Sequence, residues 1–479
     1  MYDILIIGAG VTGCAIAREL SRYNAKIAVV EKSYDVAMGS SKANSAIVHA
    51  GYDAKPGTNK AAMNIAGNAL FDQLAKDLDF PFVRNGSLIL CFDEGDRPEL
   101  EKLLARGIEN GVQGLEIIER AELEKMEPHI GPKVVAALWA PTGGIVCPYE
   151  MTIALAENAA ENGAEFFFNQ AVQKVEKKGD TFVVTTQDKV YESKILINAA
   201  GLFADDIHNM LAGADDKIEI KPRSGQYVLM DKKAGHMAKH TLFQLPTAMG
   251  KGILVTPTVD GNLLLGPTAV NIDDKTDVAT YADQYREIID IAMLSVENIP
   301  VRQGITAFTG LRAHCTRDDF VLGHVPGVPG MIDAAGIESP GLTSAPAIGA
   351  KMVTFVGELM TLTAKGSFKA TRHGIPKFRE MSREERADII AQNPLYGKII
   401  CRCETVSEGE IVAAINRPLG ARDVDSVKRR TRSGMGRCQG GFCAPQITAI
   451  LARELKAPMT EITKAGPGTE LLVGRNREI

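Results

Sequence analysis

The start of the chain constrains its fold more than any other stretch. Residues 2–7 form a short apolar run, which predicts a buried parallel strand. Gly8, Gly10 and Gly13 follow in the pattern G-x-G-x-x-G, which is typical of a dinucleotide-binding turn. The first glycine permits a tight turn, and the second lets backbone N–H groups approach a pyrophosphate. The third lets the next helix lie close to the strand.

The residues after the glycines continue the same design. Residues 14–23 are predicted to form a helix whose positive N-terminal end faces the phosphates, and residues 26–30 a second strand. That strand ends at Glu31, where an acidic residue binds ribose hydroxyls. A glycine-rich turn without a ligand would not require this order of elements. The sequence therefore predicts that the chain binds a dinucleotide.

Length and charge narrow the function classes. The chain has 479 residues, enough for roughly two to four domains. Its formal net charge of −5 argues against nucleic acid as the main partner. Met1 directly precedes the first strand, and no apolar run reaches about 18 residues. We therefore expect no targeting peptide and no transmembrane segment, and a cytoplasmic protein.

Later stretches extend the dinucleotide-binding unit. The loop 38–51 is rich in small and hydroxylated residues, which suits a loop lying against a large planar ligand. Residues 194–198 predict a buried strand that ends at Ala200 and Gly201, the same strand-to-turn design as at the start, and we expect this strand to lie beside the first one. A helix is predicted over residues 348–362.

Between these elements the pattern changes to short antiparallel strands over residues 223–268, with a hairpin signal at Asp260-Gly261. The predicted fold class is therefore α/β (α+β overall), a Rossmann-like domain with an inserted antiparallel-sheet substrate domain. The Rossmann-like segments lie near residues 1–75, 140–220 and 320–365 of a unit spanning residues 1–365. The remainder is predicted to be an exposed charged linker, a small helical module and a tail, at residues 366–393, 394–455 and 456–479.

Half of the cysteines lie in the small module. Cys401 and Cys403 form a C-x-C pair, and Cys438 and Cys443 a C-x₄-C pair. Thiolates at this density in a reducing compartment indicate a metal site. Structural zinc sites usually have C-x₂₋₄-C at both ends, so the spacing favours an iron–sulfur cluster with four thiolates. Zinc and unliganded thiols are the alternatives.

The other cysteines are scattered through apolar segments and are expected to be small core residues: Cys14, Cys91, Cys147 and Cys315. Five basic residues lie between the cysteine pairs: Lys428, Arg429, Arg430, Arg432 and Arg437. They form a solvated basic face, or they compensate the thiolate charge or dock an acidic partner. The sequence leaves these interpretations open.

Three side chains are candidates for catalysis. His49 lies in the loop expected near the ligand's reactive ring, Lys251 precedes a predicted strand, and Arg312 ends another. Most lone histidines are packing or surface residues, and most lone cations are solvated. The functional hypothesis is that His49 takes part in proton transfer and that the two cations clamp an anionic substrate.

Residues 1 to about 365 resemble the D-amino-acid-oxidase-like flavoproteins, and among them the glycerol-3-phosphate oxidase/dehydrogenase branch. The stretches that carry the resemblance are 8–13 with Glu31, 44–51, 223–227, 250–252, 265–268, 310–312 and 339–343. The resemblance implies that the cofactor is FAD and that His49, Lys251 and Arg312 line the substrate site. Besides the glycine turn and Glu31, it implies cofactor contacts at Ser40, Ser41, Asn44, Ser45, Ala200, Gly201, Gly336, Ser339, Gly341, Leu342 and Thr343.

Two points leave the substrate open. A neighbouring branch, the L-2-hydroxyglutarate dehydrogenases, shares the loop of His49 and the strand of Arg312. The family often has proline after this arginine, whereas this chain has Ala313-His314.

Residues 393–445 resemble the bacterioferritin-associated-ferredoxin-like [2Fe-2S] module. That module is found fused to anaerobic-type glycerol-3-phosphate dehydrogenases and to opine and cyanide-forming oxidase subunits. All four ligand positions are present, so the resemblance implies a [2Fe-2S] cluster held by the four module cysteines.

Both resemblances predict an FAD-dependent dehydrogenase that oxidises sn-glycerol 3-phosphate to dihydroxyacetone phosphate. His49 would act as the base while hydride passes to the flavin. Electrons would leave through the cluster to a protein or quinone acceptor, with a second flavoprotein or other acceptor subunit as partner and peripheral membrane contact as an option. The alternatives are an L-2-hydroxyglutarate dehydrogenase, an opine or amine oxidase subunit, and a non-catalytic electron-transfer subunit.

Overall fold

The computed structural model describes residues 1–246 and 252–474. Its helices are α1 (Val11–Leu20), α2 (Asn59–Leu78), α3 (Arg97–Glu109), α4 (Arg120–Met126), α5 (Pro148–Glu161), α6 (Ala204–His208), α7 (Ala282–Ser295), α8 (Gly341–Leu359), α9 (Arg383–Gln392), α10 (Glu408–Asn416), α11 (Val424–Thr431) and α12 (Ala444–Leu455). Its strands are β1 (Tyr2–Ile7), β2 (Ile27–Val30), β3 (Ile47–Val48), β4 (Phe82–Val83), β5 (Ser87–Cys91), β6 (Glu116–Glu119), β7 (Ala136–Ala140), β8 (Gly144–Val146), β9 (Glu165–Phe167), β10 (Val172–Lys178), β11 (Thr181–Thr186), β12 (Val190–Asn198), β13 (Ile220–Met230), β14 (Thr241–Gln244), β15 (Leu254–Pro257), β16 (Leu263–Gly266), β17 (Val270–Asn271), β18 (Gly304–Cys315), β19 (Val321–His324), β20 (Met331–Ala335), β21 (Ile399–Cys401) and β22 (Val406–Ser407).

The first sheet is built around β1. This strand runs parallel to β2 on one side and to β12 on the other, with Ile6 paired to Ile197. β9 and β20 extend the sheet in the same direction, whereas β10 and β11 form an antiparallel edge. The prediction that residues 194–198 lie beside the first strand is confirmed. Because carboxyl ends of parallel strands meet at one edge, the turns after β1, β12 and β20 lie together.

Helices α1, α5 and α8 pack together on this sheet around a core that includes the fully buried Ile6, Ile16 and Ile348. Helix α8 begins at Gly341, so the start predicted at residue 348 is wrong. Pro346 lies inside α8 although proline lacks an N–H group and is unfavourable in a helix interior. Ala345 and Ile348 are nevertheless completely buried, and this packing outweighs the unfavourable residue.

The second sheet is largely antiparallel and carries the long pair β13–β18. β15 and β16 form the predicted hairpin, with Gly261 at φ 84° in its turn. This sheet also includes β5, β6 and β7, which lie in the chain between the first and second Rossmann-like segments. Its separate core includes Val228, Leu265 and Ile288.

Helices α10, α11 and α12 and the pair β21–β22 form the C-terminal module around Ile411, Val427 and Leu451. The division of the chain at residues 365 and 394 stays a proposal, which these separate cores support.

The segment 366–393 is exposed along α9 but not throughout. Arg372 Nε donates to the buried Glu157 at 2.6 Å, and Phe378 is buried. The expected exposed linker is therefore packed before α9, because a buried carboxylate requires a cation.

Across residues 1–246 and 252–474, no helix has both the length and the apolar character needed to cross a bilayer.

Candidate functional site

Glycines at the end of β1 form a tight cradle. A Cβ atom added to Gly8 would lie 2.4 Å from the Ala199 oxygen, and one added to Gly13 would lie 2.0 Å from the Gly8 oxygen. Only glycine therefore lets β1, α1 and the end of β12 meet this closely. Gly10 has more room, since an added Cβ would lie 3.2 Å from Ser41 Oγ. That space suits a phosphate group held by backbone N–H groups.

Two predicted cofactor residues are fixed beside the cradle by backbone N–H groups. The Glu31 carboxylate accepts hydrogen bonds from Ala9 at 2.7 Å and from Ser33 at 2.8 Å. Ser41 Oγ accepts one from Val11 at 2.9 Å. Glu31 is thus held at the end of β2, where a ribose-binding acid is expected.

The loop after the cradle is folded by Asn44, whose amide donates to the oxygens of Ser40 and Ser41 at 2.9 and 3.1 Å. Ser40 Oγ in turn donates to the Leu311 oxygen at 2.5 Å. The loop therefore lies directly against β18, the strand that carries Arg312.

His49 follows β3 and is held from several directions. Its N–H donates to Thr343 Oγ1 at 2.9 Å, and its oxygen accepts from the Asn64 and Asn68 amides at 2.8 and 2.9 Å. The ring nitrogen Nε2 lies 3.2 Å from Ser339 Oγ. A cavity of about 150 Å³ lies beside the ring. The fixed backbone gives the imidazole a defined place at the start of α8.

The other predicted cofactor residues lie at the carboxyl edge of the first sheet or at the start of α8. They are Ala200 and Gly201 after β12, Gly336 after β20, and Ser339, Gly341, Leu342 and Thr343 at α8. The structure brings these positions and His49 to one edge. Their contacts with the cofactor stay a prediction.

Arg312 lies in β18 and donates to the backbone oxygens of Ser224 at 3.5 Å and Thr268 at 3.2 Å. Within the described parts of the chain, no carboxylate lies within 4.0 Å of its guanidinium. Burial raises the pKa of Tyr227, and the charge of Arg312 opposes that rise. Tyr227 Oη lies 3.1 Å from Ser45 Oγ, so Tyr227 connects Arg312 to the loop. We did not predict Tyr227 as a site residue, because a tyrosine in an apolar strand has no distinguishing spacing.

The second predicted cation, Lys251, lies outside the described residues. Ala313 and His314 follow Arg312, where the family often has proline. Ala313 is buried, and His314 Nδ1 lies 3.0 Å from Glu338 Oε1. Glu338 also accepts from Lys60 Nζ at 2.8 Å. His314 therefore ties β18 to the segment that precedes α8.

The four module cysteines form two pairs of thiols. Cys403 Sγ and Cys438 Sγ lie 3.6 Å apart. A hydrogen bond from Cys443 lowers the pKa of Cys401 to about 6. Two thiolates on one tetrahedral metal ion, with bonds of about 2.3 Å, lie roughly 3.8 Å apart. The described residues contain no group of three or more Cys, His, Asp or Glu arranged around a single metal ion. Two pairs suit the two irons of a [2Fe-2S] cluster better than one zinc ion.

Two family models match the chain. One, described as FAD dependent oxidoreductase, matches residues 3–354. This chain belongs to that family. The second, described as BFD-like [2Fe-2S] binding domain, matches residues 399–453. The oxidoreductase binds FAD, which the glycine cradle fits, and its C-terminal module binds a [2Fe-2S] cluster, which the paired thiols fit.

Relatives of the oxidoreductase agree with this assignment. It is 49% identical over 475 residues to a glycerol 3-phosphate dehydrogenase of Caloramator mitchellensis, covering 99% of this chain and 98% of the relative. It is 34% identical over 355 residues to a glycerol 3-phosphate oxidase of Mycoplasma pneumoniae, covering 72% and 92%. The solved structure of the dithionite-reduced L-alpha-glycerophosphate oxidase from M. pneumoniae, with FAD bound, matches with a TM-score of 0.74 and 32% identity, covering 78% and 99%. The predicted fold class is confirmed.

Three of the five basic residues between the cysteine pairs of the oxidoreductase neither form a solvated face nor dock a partner. Arg429 and Arg430 are buried, and both donate to Asp35, at 2.7 to 2.8 Å. Arg432 is also buried and donates to Glu404 at 2.9 Å and to Asp260 at 2.6 Å. These three arginines are neither solvated nor available to a partner. They fasten the module to the cofactor-binding unit and to the β15–β16 hairpin.

Proposed function

We propose that this oxidoreductase is a glycerol-3-phosphate dehydrogenase that converts sn-glycerol 3-phosphate to dihydroxyacetone phosphate. The observation that carries the proposal is the relation to the C. mitchellensis glycerol 3-phosphate dehydrogenase, which spans both the FAD unit and the cluster module. The alcohol carbon loses hydride and the hydroxyl loses a proton. FAD, when bound, accepts the hydride.

His49 is the proposed base for the hydroxyl proton. A general base must reach the proton it removes and must be neutral at the working pH. The backbone contacts of His49 to Thr343, Asn64 and Asn68 fix the origin of its side chain. The 3.2 Å contact with Ser339 Oγ gives Nε2 a hydrogen-bonding partner in the absence of substrate. The imidazole is therefore positioned before substrate arrives, which lowers the entropic cost of reaching the reactive geometry.

Arg312 is the proposed anchor for the substrate phosphate, together with Lys251. Arginine binds phosphate through two parallel N–H groups, whereas lysine acts as a point charge. Arg312 contacts two backbone oxygens, which carry no full charge. No carboxylate of the described residues compensates its positive charge. A phosphate would supply that compensation, and the nearby Tyr227 hydroxyl offers a further hydrogen bond.

The cluster module sets the proposed route for the electrons. Alcohol oxidation releases two electrons, whereas an iron–sulfur cluster passes them singly. Export to a one-electron protein or quinone acceptor through the module therefore fits the architecture better than direct reduction of oxygen. A separate acceptor subunit is part of this proposal.

The decisive experiment is anaerobic mixing of the FAD-loaded protein with candidate substrates while flavin absorbance is followed. Glycerol 3-phosphate should bleach the flavin, and L-2-hydroxyglutarate, L-lactate and an opine should not. Bleaching by L-2-hydroxyglutarate alone would assign the neighbouring branch. If dithionite bleaches the flavin and no substrate does, the protein is an electron-transfer subunit rather than a dehydrogenase.

A further inference from the structure

One aromatic side chain beside the cluster ligands lies in the open. Phe442 occupies the loop between Cys438 and Cys443, and its exposed fraction is 83%. Tyr281, at 45%, is the next most exposed aromatic of the described residues. Because burial of a phenylalanine ring is favourable, this ring offers an apolar contact to any partner that covers the cluster loop.

Two of the cluster ligands also reach solvent. Cys403 is exposed and Cys438 is partly exposed, whereas Cys401 and Cys443 are buried. The residues before Phe442 are Gly440 and Gly441, which add no side chains to the loop. A partner surface can therefore approach both the ring and the exposed thiols.

Exposed basic residues lie in the loops of the cluster ligands and in a segment that contacts these loops. Arg402 lies between the first two ligands and Arg437 precedes the third, and both are exposed. Lys232 and Lys233, which come from the segment after β13, are exposed as well. Lys232 Nζ contacts Glu404 at 2.9 Å, which places this segment beside the cluster loops. We call Phe442 and these four basic residues the Phe442 surface.

The acidic residues near the Phe442 surface do not cancel its charge. Glu404 is buried and shared with Arg432 as well as Lys232. Asp231 Oδ2 lies 3.3 Å from Arg437 Nε, and its side chain is partly exposed. Among the described residues, Arg402 and Lys233 have no carboxylate within 4.0 Å of their side-chain nitrogens, so the rim presents exposed positive charge on a chain whose net charge is −5.

We propose that the Phe442 surface docks a one-electron carrier protein whose own docking face is acidic. The proposal rests on the proposed function, because glycerol 3-phosphate oxidation supplies the electrons. An aromatic anchor inside a charged rim has the anatomy of a transient protein interface, and the rim selects partners of opposite charge. A membrane-binding face would need a broader apolar area than a single ring.

The electron count sets the stoichiometry of the partner. Each oxidation breaks the C–H and O–H bonds of the alcohol, forms the ketone, and releases two electrons and two protons. Each carrier takes one electron, so two oxidised carriers are reduced per ketone formed. The protons pass to solvent.

Binding can be measured without turnover. Succinylated cytochrome c carries carboxylates in place of its lysine charges, and native cytochrome c is its basic counterpart with the same haem. In the absence of substrate, immobilised holoenzyme should bind the succinylated form, with affinity falling about tenfold from low to physiological salt. It should not bind the native form. Equal binding of both forms would overturn the proposal.

Two variants test the surface from different units. Phe442→Ala removes the ring, and Lys233→Glu reverses a charge outside the cluster module. Each should weaken binding of succinylated cytochrome c by about tenfold while leaving the electron paramagnetic resonance signal of the reduced cluster unchanged. Arg286→Glu, an equal charge reversal at an exposed position of α7, is the matched control and should have no effect.

The remaining outcomes separate the two proposals. Unchanged binding in both surface variants, or retention of the holoenzyme by phosphatidylserine vesicles rather than by succinylated cytochrome c, would overturn the carrier proposal. If binding depends on Phe442 and Lys233 but glycerol 3-phosphate does not bleach the flavin, the surface assignment stands and the proposed substrate fails.

Discussion

Arg430 of the C-terminal module and Asp35 of the cofactor-binding unit form a buried, doubly hydrogen-bonded ion pair. Arg430 Nη1 lies 2.7 Å from Asp35 Oδ2, and Nη2 lies 2.8 Å from Oδ1. This bidentate geometry is the strongest form of an arginine–carboxylate contact. Asp35 follows Glu31, the predicted ribose-binding residue, by a few positions, so the module is fastened to the loop that follows β2.

Removal of the Asp35 carboxylate should destabilise the folded protein strongly. Asp35→Ala leaves Arg429 and Arg430 buried without their partner, which is expected to cost about 3–5 kcal/mol of unfolding free energy. Urea unfolding followed by circular dichroism measures the change. Glu122→Gln breaks the exposed pair with Lys125 and should cost under about 1 kcal/mol. Similar losses in the two variants would show that the module is not fastened through Asp35.

The same pair predicts an acid-sensitive stability. Burial alone would raise the pKa of Asp35, but Arg430 and Arg429 together hold it well below its usual value of about 3.9. A depressed pKa contributes stability that is fully present above the unfolded value and is lost as the pH falls through the folded one. The difference in unfolding free energy between wild type and Asp35→Asn should therefore shrink as the pH falls below about 4. A difference that stays constant from pH 6 to pH 3 would contradict the assignment.

Replacement of the proposed base should slow flavin reduction without loss of FAD. His49→Ala is expected to lower the rate by roughly 10²–10⁴-fold, since proton removal in the transition state is then left to water. Anaerobic stopped-flow mixing with glycerol 3-phosphate measures the rate, and flavin absorbance measures the cofactor content. His324→Ala, at an exposed histidine paired with Glu358, is the control. A rate within a few-fold of wild type would remove His49 from the mechanism.

Loss of the proposed phosphate anchor should affect substrate affinity first. Arg312→Ala is expected to raise the dissociation constant for glycerol 3-phosphate about tenfold or more, because a charged hydrogen bond contributes roughly 1.5–3 kcal/mol. Arg312→Lys should restore only part of the affinity, since lysine cannot bind bidentately. The concentration dependence of flavin bleaching gives the constant, with Arg302→Ala as the exposed control. An unchanged affinity would place the anchor elsewhere.

Loss of one cluster ligand should separate the two halves of the reaction. Cys438→Ser is expected to abolish the electron paramagnetic resonance signal of the dithionite-reduced cluster. Flavin reduction by glycerol 3-phosphate should persist, because that chemistry lies in the first unit, whereas turnover with a protein or quinone acceptor should stop. Cys315→Ser, at a buried cysteine away from the module, should preserve both steps. Full acceptor turnover in Cys438→Ser would make the role of the cluster structural.

The parts of the site that could be predicted are those with a local pattern. The glycine cradle follows from three positions within six residues, and its steric reason appears at Gly8 and Gly13, where no Cβ fits. The spacing of the module cysteines likewise indicated a shared cluster before their pairing was known. Local patterns succeed because the residues that act together are also neighbours in the chain.

The fastening of the module could not be predicted in this way. Arg430 and Asp35 are 395 positions apart, and Arg432 and Asp260 are 172 apart. A run of basic residues does not show which acidic residues lie beside it in the folded chain. The five basic residues therefore suggested contact with solvent or with a partner rather than an intramolecular contact. Tyr227 could not be predicted for the same reason, because its contact with Ser45 and its proximity to Arg312 join residues that are distant in the sequence.

The order of these residues along the chain has a consequence for biosynthesis. In a chain made from its N-terminus, Asp35 and Asp260 emerge from the ribosome well before Arg430 and Arg432. A carboxylate is costly to bury without a cation, so we expect both acids to remain hydrated until the module that carries these arginines has folded against them. The surfaces that receive the module are thus completed only after the module has been synthesised, and the FAD-binding unit and the cluster module mature together.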